Sequence, residues 1–575
     1  MKSKKQGTPS KAAPQPAWSL RGWHVAAGAA AALVAALVVY GPALSGPFVF
    51  DDQYLPFFSQ HFSEAPVWSA IRGVRPLLMF TFWVNNRMAG TEPYLYHLFN
   101  VLFHLANSLL VFFIARRLLT WAGVEGIRRE SLAAFAGALF LLHPAQTEAV
   151  AYVASRSENL SALFFFAAVA VFVYRKSAAV SWPTVLLIMV LYGAAVSTKE
   201  HTVVLPAVLL LIDYFWNPGF SLAGIRRNWR LYAPIVVGGA VGARYVLGVL
   251  GQSISAGFHI QGLPWYDYFF TQWQALWIYF RLFVLPFGQN ADYDFSIVHS
   301  AFDAGAIAGL AGLLILVAGA VYFRKRYPLA SFGFLSALVL FAPTSSVVPL
   351  LDAVAERRLY LPMLGLVFIP VEVLNRWRVR QRVAAGTAAA VLLVFAFLCY
   401  QRNQVWASDV SLWGDAVAKS PNNWRAHFQL GIAYYQKGQC DLAAREYETA
   451  FRLGKPDYSL HVDWALAEDC LGRPEQALDQ LRKAAAIKRS AYVYSQMGLI
   501  YGKQGKTAEA LSAFETAIQI DPRDDMAYFG RGNLRALAGD LAGAQSDYSR
   551  AIQINPENEQ AQRGLARVLT RRQAR

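Results

Sequence analysis

Apolar runs dominate the first two-thirds of the chain and give way to an ordinary mixed pattern in the last third. Runs of spanning or near-spanning length fall near residues 23–44, 94–115, 131–144, 159–174, 182–198, 202–215, 231–250, 304–323, 330–350, 359–374 and 383–400. Several are shorter than the ~20 residues a helix needs to cross the hydrocarbon, so their flanks must complete the crossing. The pattern predicts an all-α, polytopic membrane domain of about eleven spans. A twelfth run, "WYDYFFTQWQALWIYFRLFVLPF" (265–287), is rich in Trp and Tyr and carries Arg281. That composition suits the headgroup level, and the run is expected to lie in the interface or re-enter without crossing.

From residue 421 the pattern repeats with a period near 34. Ala450, Ala484, Ala517 and Ala551 recur in "YETAFRL", "LRKAAAI", "FETAIQI" and "YSRAIQI", and Gly498 and Gly532 keep the same step. Small residues that let paired helices approach, with proline closing each unit, are the marks of a tetratricopeptide-type α-solenoid. Four repeats are expected over 421–556, flanked by a half repeat at 412–421 and a basic helix at 559–575. The expected division is a cytoplasmic tail at 1–22, a membrane domain at 23–402 with its first external loop at 45–93, and a repeat domain at 403–575. The solenoid offers a groove for an extended acceptor polypeptide or a partner protein.

Composition sharpens this picture. The chain of 575 residues is 55% hydrophobic and 14% aromatic, too apolar for one soluble domain. Its formal charge is +16, but the basic residues come in short clusters between apolar runs, which excludes a nucleic-acid-binding stripe. The clusters are Lys2 to Arg21, Arg116/Arg117/Arg128/Arg129, Arg175/Lys176, Arg226/Arg227/Arg230, Arg324/Lys325/Arg326 and Arg376/Arg378/Arg380/Arg382. Eleven spans place all six in the cytoplasm, with the N-terminus inside as an uncleaved anchor and the repeats outside. Cys399, Cys440 and Cys470 suit neither a disulfide framework nor a zinc site by spacing.

In this orientation the external loops hold the polar chemistry. "GPFVFDDQYLPFF" sets Asp51 and Asp52 side by side among aromatic residues, where desolvation and mutual repulsion both oppose ionisation. Further loops carry His143, Glu148, Arg156 and Glu158; Lys199, Glu200 and His201; and Glu356, Arg357 and Arg358. Transfer from a lipid-linked phosphate donor needs a carboxylate to take the acceptor's proton and cations to hold the departing phosphate. Asp51 or Asp52 supplies the first, and Lys199, Arg357, Arg358 or Arg156 the second. Glu200, His201, His143, Glu148 and Glu356 are supporting candidates. Adjacent residues diverge in direction, so one aspartate is expected to face the reaction and the other to steady it. A divalent cation on the external carboxylates and histidines stays open, because no spacing demands it.

The ordered motifs "FVFDD", "RPLLMFTF", "YHLFNVLFHLANSLLVF", "HPAQTEAVAYVASRSENLSALFF", "STKEHTVVLP" and "VAERRLYLPMLGL", followed by repeats, resemble the transmembrane and tetratricopeptide-repeat O-mannosyltransferase family of the GT-C superfamily. The resemblance implies a polyprenyl-phosphate mannose donor, transfer to Ser or Thr of a protein on the external face, and a catalytic acidic motif that maps onto Asp51 and Asp52. Arg358 and Met363 depart from the family's pattern. The Ala-rich helices and compact loops fit a bacterial inner membrane. Two other classes compete with this inverting transferase. An O-antigen ligase or polymerase would place its essential residues in a large late external loop, whereas the loop near 351–358 is short. A non-enzymatic anchored scaffold would need only one or two spans.

Overall fold

The structure, a computed structural model, describes residues 22–573 apart from 60, 61, 63, 254, 455 and 456. The N-terminal tail and the lysines of its basic cluster lie outside the described residues. The described residues are helical, joined by turns and by one isolated antiparallel bridge between Ala256 and Leu350. The chain divides into two compact units, residues 1–291 with 295–411 and residues 412–575 with 292–294.

The first unit is a helical bundle. Its helices are α1 (Gly22–Leu44), α2 (Pro76–Ala89), α3 (Pro93–Trp121), α4 (Gly126–Leu142), α5 (Arg156–Val173), α6 (Trp182–Thr198), α7 (Leu205–Trp216), α8 (Trp229–Gln252), α9 (Trp265–Val284), α10 (Ala304–Tyr322), α11 (Pro328–Phe341), α12 (Phe368–Arg376) and α13 (Gln381–Val405). Among the described residues, α1, α3, the stretch Val153–Val173 that includes α5, α8, α10 and α13 are long and apolar enough to cross a membrane. The helices α6 and α11 are shorter but apolar.

The centre of the bundle is α3, packed on α4, α5 and α1. Gly137 lets α4 close on α3, because a Cβ there would meet the Ser108 carbonyl at 3.0 Å. The two histidines of α3 face inward and are spent on neighbours. His97 Nε2 lies 3.1 Å from the Gly46 carbonyl, and His104 Nδ1 lies 2.9 Å from the Tyr360 hydroxyl. Polar groups facing the interior of an apolar bundle pair in this way because lipid offers them nothing.

Two apolar runs depart from simple spans. Residues 359–374 do not form one helix: a 3-10 turn at Glu356–Leu359 leads into short helices at Met363–Leu366 and α12. Pro362 and Pro370 fall within this run, and Leu359, Tyr360, Leu361 and Met363 are all buried. Irregular backbone at membrane depth is tolerated where protein covers it. The run at 265–287 forms the continuous helix α9. Tyr268 donates to the Thr344 carbonyl, Gln272 to the Ala353 carbonyl, and the Phe283 carbonyl meets His143.

One end of the bundle is basic. Arg116 and Arg129 pair with Glu130, Arg175 pairs with Asp213 at 3.0 Å, Arg324 reaches the Tyr214 hydroxyl, and Arg128 donates to the Asn375 carbonyl. Basic groups separated by hundreds of residues in sequence are thus tied together at one end.

In the second unit, helix pairs begin at Trp424, Tyr458, Ala491 and Asp525, and the helix Glu559–Gln573 follows them. Within each pair the turn passes through a glycine of positive φ: Gly438, Gly472, Gly505 and Gly539, a conformation that a side chain would strain. The period alanines Ala450, Ala484, Ala517 and Ala551 are fully buried. Phe514 shows why the small residues recur. Its ring fills the space where a Cβ on Gly498 or on Gly530 would come, at 2.6 and 2.2 Å. Against the sequence expectation, Cys440 and Cys470 are joined in a disulfide across 30 residues, with Cα atoms 6.2 Å apart. The stacking of successive helices brings them together, which their spacing does not reveal.

Candidate functional site

Residues Phe50–Tyr54, "FDDQY", form a 3-10 turn shortly after α1, which ends at Leu44. Asp52 is fully buried at the third position of that turn. Its Oδ2 accepts the Val49 N–H at 3.1 Å, closing the turn on itself, and its Oδ1 accepts the Ala154 N–H at 2.7 Å, 102 residues away. Burial pushes its carboxyl up to about 8, beyond the opposing effect of the backbone donors. A neutral carboxyl keeps an oxygen for each N–H, and the pair is then not two adjacent negative charges.

Asp51 is exposed. Its backbone N–H donates to the Tyr152 hydroxyl at 3.1 Å, so the turn is fastened at two successive residues to the segment 152–154. Phe50 holds φ at 52°, a left-handed conformation that a bulky residue rarely adopts. Its ring lies against Tyr152 and Trp406, with centroids 5.4 and 6.2 Å away. The two aspartates therefore divide the work: one is the fastening, the other meets solvent.

Three cations of the neighbouring loops are each paired with a carboxylate less exposed than themselves. Arg75 is bidentate to Glu200 at 3.1 and 2.9 Å. Lys199 reaches Glu158 Oε1 at 2.5 Å and the Ser157 hydroxyl at 3.2 Å. Arg357 binds Glu148 through both its guanidinium and its backbone N–H, and touches Asp352 at 3.4 Å. The side chains of Arg75, Arg357 and Lys199 keep 34%, 27% and 19% of their surface, against 13%, 4% and 6% for Glu200, Glu148 and Glu158. Glu148 and Glu158 are thus sunk in the protein and Glu200 is half-buried, while the cations keep more of their surface.

Charge coupling follows the same arrangement. Burial works against the Arg357 guanidinium, but Glu148 and Asp352 outweigh it and raise it above its ordinary value. Burial likewise opposes ionisation of Glu200, and Arg75 more than compensates, holding its carboxyl below the usual range. Lys199 is lowered by burial despite Glu158. His201, 3.4 Å from Glu158, is pushed down to about 4 by burial, so it stands neutral beside the ion pair. Tyr152 is raised by burial and by both aspartates, and Arg357 pulls it the other way. The acidic turn and Arg357 therefore share Tyr152 as a neighbour.

Four of the expected residues serve other ends. Arg156 is fully buried; Nε donates to Asn100, Nη2 to the Tyr96 carbonyl, and the guanidinium lies 4.5 Å over the Phe82 ring. Arg358 is spent on the Tyr268 hydroxyl and on the carbonyls of Asp352 and Ala353. His143 caps the turn after α4 by accepting the Ala145 N–H, and Glu356 accepts the Asn290 N–H and the Gln289 amide. These are fastenings between loops and leave no open edge for a phosphate.

Sequence reasoning passed over Tyr152, Arg75 and Arg244. Arg75 opens the quoted string "RPLLMFTF", has φ of 61°, and turns its guanidinium to Glu200. Beside it lies a cavity of about 890 Å³ lined by Val74, Arg244, Tyr245, Gly248 and Gln252. Among the described residues, no group of three or more His, Cys, Asp or Glu side chains is placed to hold a metal ion.

Comparison with known proteins bears out the resemblance read from the motifs. A tetratricopeptide-repeat family model matches residues 410–456, 428–492 and 495–559. A Caenorhabditis elegans protein O-mannosyl-transferase is 25% identical over 448 residues, 73% of this chain and 62% of the relative. The mouse protein O-mannosyl-transferase TMTC3 is 24% identical over 519 residues, 80% of this chain and 55% of the relative. The chain therefore spans a little over half the length of the curated relatives it matches. Among solved structures, the tetratricopeptide-repeat protein YrrB is similar at 22% identity with a TM-score of 0.25, covering 31% of this chain and 88% of that one.

Proposed function

We propose that this chain, a relative of the transmembrane and tetratricopeptide-repeat protein O-mannosyltransferases, is a membrane glycosyltransferase of GT-C type. It would move a mannose from a polyprenyl-phosphate donor to a Ser or Thr hydroxyl of a polypeptide, with inversion. The observation that carries the reading is the division within the acidic pair: Asp52 is buried and tied to two backbone N–H groups, whereas Asp51 is exposed and bonded through its N–H to Tyr152, which also feels Arg357.

In this mechanism the Asp51 carboxylate takes the proton of the acceptor hydroxyl as its oxygen attacks the anomeric carbon. The bond from that carbon to the phosphate oxygen breaks, and the electron pair leaves with the phosphate. Arg357, Lys199 and Arg75 stabilise the phosphate, and Arg244 extends the cationic edge beside the cavity. One displacement inverts the anomeric configuration. Glu148, Glu158 and Glu200 orient the cations in advance, so little reorganisation accompanies charge development. Asp52 is a positioning residue: it fixes the turn that presents Asp51.

The acidic turn faces outside the cytosol in this reading. Two features support that placement. The basic groups gather at the opposite end of the bundle, as they do on the cytoplasmic side of membrane proteins. The Cys440–Cys470 disulfide suits an oxidising compartment for the repeats. The repeats would present the acceptor polypeptide. The test is to incubate the purified chain with polyprenyl-phosphate mannose and a Ser/Thr-rich peptide. Mannosylated peptide of inverted anomeric configuration is the expected product; no transfer from any polyprenyl-phosphate hexose would contradict the reading.

A further inference from the structure

At the basic end of the bundle, remote in sequence from the acidic loop, a cavity of about 810 Å³ opens between α10, α11, α12 and α13. Its wall is almost entirely apolar, with Leu316, Gly319, Phe334, Ala388 and Val391 among its lining. Measured along α13 from Gln381, Val391 lies about 15 Å into the bundle at 1.5 Å per residue. That depth is about half of the ~30 Å hydrocarbon core, the reach of a single leaflet. Gly319 lines the cavity, and a Cβ built on it meets nothing within 4 Å, so a longer side chain there would extend into open space.

The mouth of the cavity is charged. Glu372 is buried, accepts the Leu329 N–H at 2.9 Å, and holds the Arg376 guanidinium. Arg376 lies 5.0 Å over the Tyr327 ring, and Arg326 lies 5.4 Å over the same ring. Arg128 joins them through the Asn375 carbonyl. All three arginines are exposed; Arg376 and Trp377 line the cavity itself, and Arg326 and Arg128 flank it through Tyr327 and Asn375. Glu372 is committed to orienting Arg376, and the arginines outnumber it there.

We propose that this cavity is a binding site for one anionic phospholipid. An acyl chain fills the apolar groove between α10 and α13, and the phosphate headgroup rests on Arg376, Arg326 and Arg128. An apolar face alone would accept any lipid tail. Three guanidiniums at the entrance, at headgroup depth, select a negative headgroup. The bound lipid joins α10 and α13 to the short broken segment around α12, whose nine residues cannot span the membrane on their own. A polyprenyl-phosphate donor is not the occupant argued for, because its phosphate is needed at the opposite end of the bundle.

The test is native mass spectrometry of the full chain in detergent, titrated with phosphatidylglycerol, phosphatidylcholine or polyprenyl phosphate. A single saturable phosphatidylglycerol is expected, at least tenfold tighter than phosphatidylcholine. Arg376→Ala combined with Arg326→Ala should erase that preference. Gly319→Leu, whose side chain enters open space, should abolish retention while leaving the arginines and the helical content unchanged. Equal retention of the two phospholipids, preferential retention of polyprenyl phosphate, or undiminished binding by Gly319→Leu would overturn the proposal.

Discussion

At the scale of single residues, the acidic pair shows how adjacent like groups are made compatible. Asp52 is placed where burial raises its carboxyl to about 8, and its oxygens are occupied by two N–H groups. A carboxyl whose folded value exceeds its unfolded one favours the folded state fully at low pH. That contribution is lost as the pH rises from about 4 through about 8. Asp52→Asn mimics the neutral carboxyl and should remove this loss. The difference in thermal midpoint between the variant and the wild type is expected to grow in the variant's favour across that window and then level off. A difference that stays flat with pH would count against a buried neutral carboxyl. The sequence made the pair conspicuous because two charges stood among aromatic residues beside a span. It could not say which aspartate faces outward, since the deciding contact comes from Ala154. For the same reason Arg156 and Arg358 read as accessible cations: their charge is visible in the sequence, but their burial is not.

At the scale of elements, periodicity carried most of the architecture. The apolar runs became helices, and the period of 34 became stacked helix pairs, because both patterns follow from geometry that local sequence controls. The run at 359–374 broke because hydropathy records apolarity and not helix continuity across Pro362 and Pro370. The disulfide escaped notice because Cys440 and Cys470 meet only when neighbouring helices stack. Closing a loop of 30 residues contributes roughly 3–4 kcal/mol by the chain-entropy model. Cys440→Ser should therefore lower the unfolding midpoint of the repeat unit, read by calorimetry under non-reducing conditions. It should leave mannose transfer to short peptides intact, since such acceptors do not need the groove. Unchanged repeat stability would argue that the pair contributes nothing to the solenoid.

At the scale of the whole molecule, the bundle has a chemical polarity. One end carries the acidic turn and paired cations with open edges; the other gathers basic groups and an apolar cavity. That asymmetry was legible in outline from the placement of arginines between apolar runs, while the joining of those arginines to Glu130, Asp213 and Asn375 required the fold. The orientation is testable with a membrane-impermeant maleimide on intact cells. A cysteine replacing the exposed Tyr54 should label from outside, and one replacing Arg378 should label only after permeabilisation. The reverse pattern would place the acidic turn in the cytosol and remove the compartment in which the proposed acceptor is met.

The central claim is that Asp51 is the base and Asp52 its fastening, and a matched pair of substitutions separates them. Purified wild type, Asp51→Asn and Asp52→Asn would be compared for initial rates of mannose transfer from polyprenyl-phosphate mannose, with thermal unfolding of each checked in parallel. Asp51→Asn is expected to lose about 10²–10⁴-fold in rate with an unchanged unfolding midpoint, while Asp52→Asn retains measurable transfer. Full activity of Asp51→Asn in the folded protein would contradict the account.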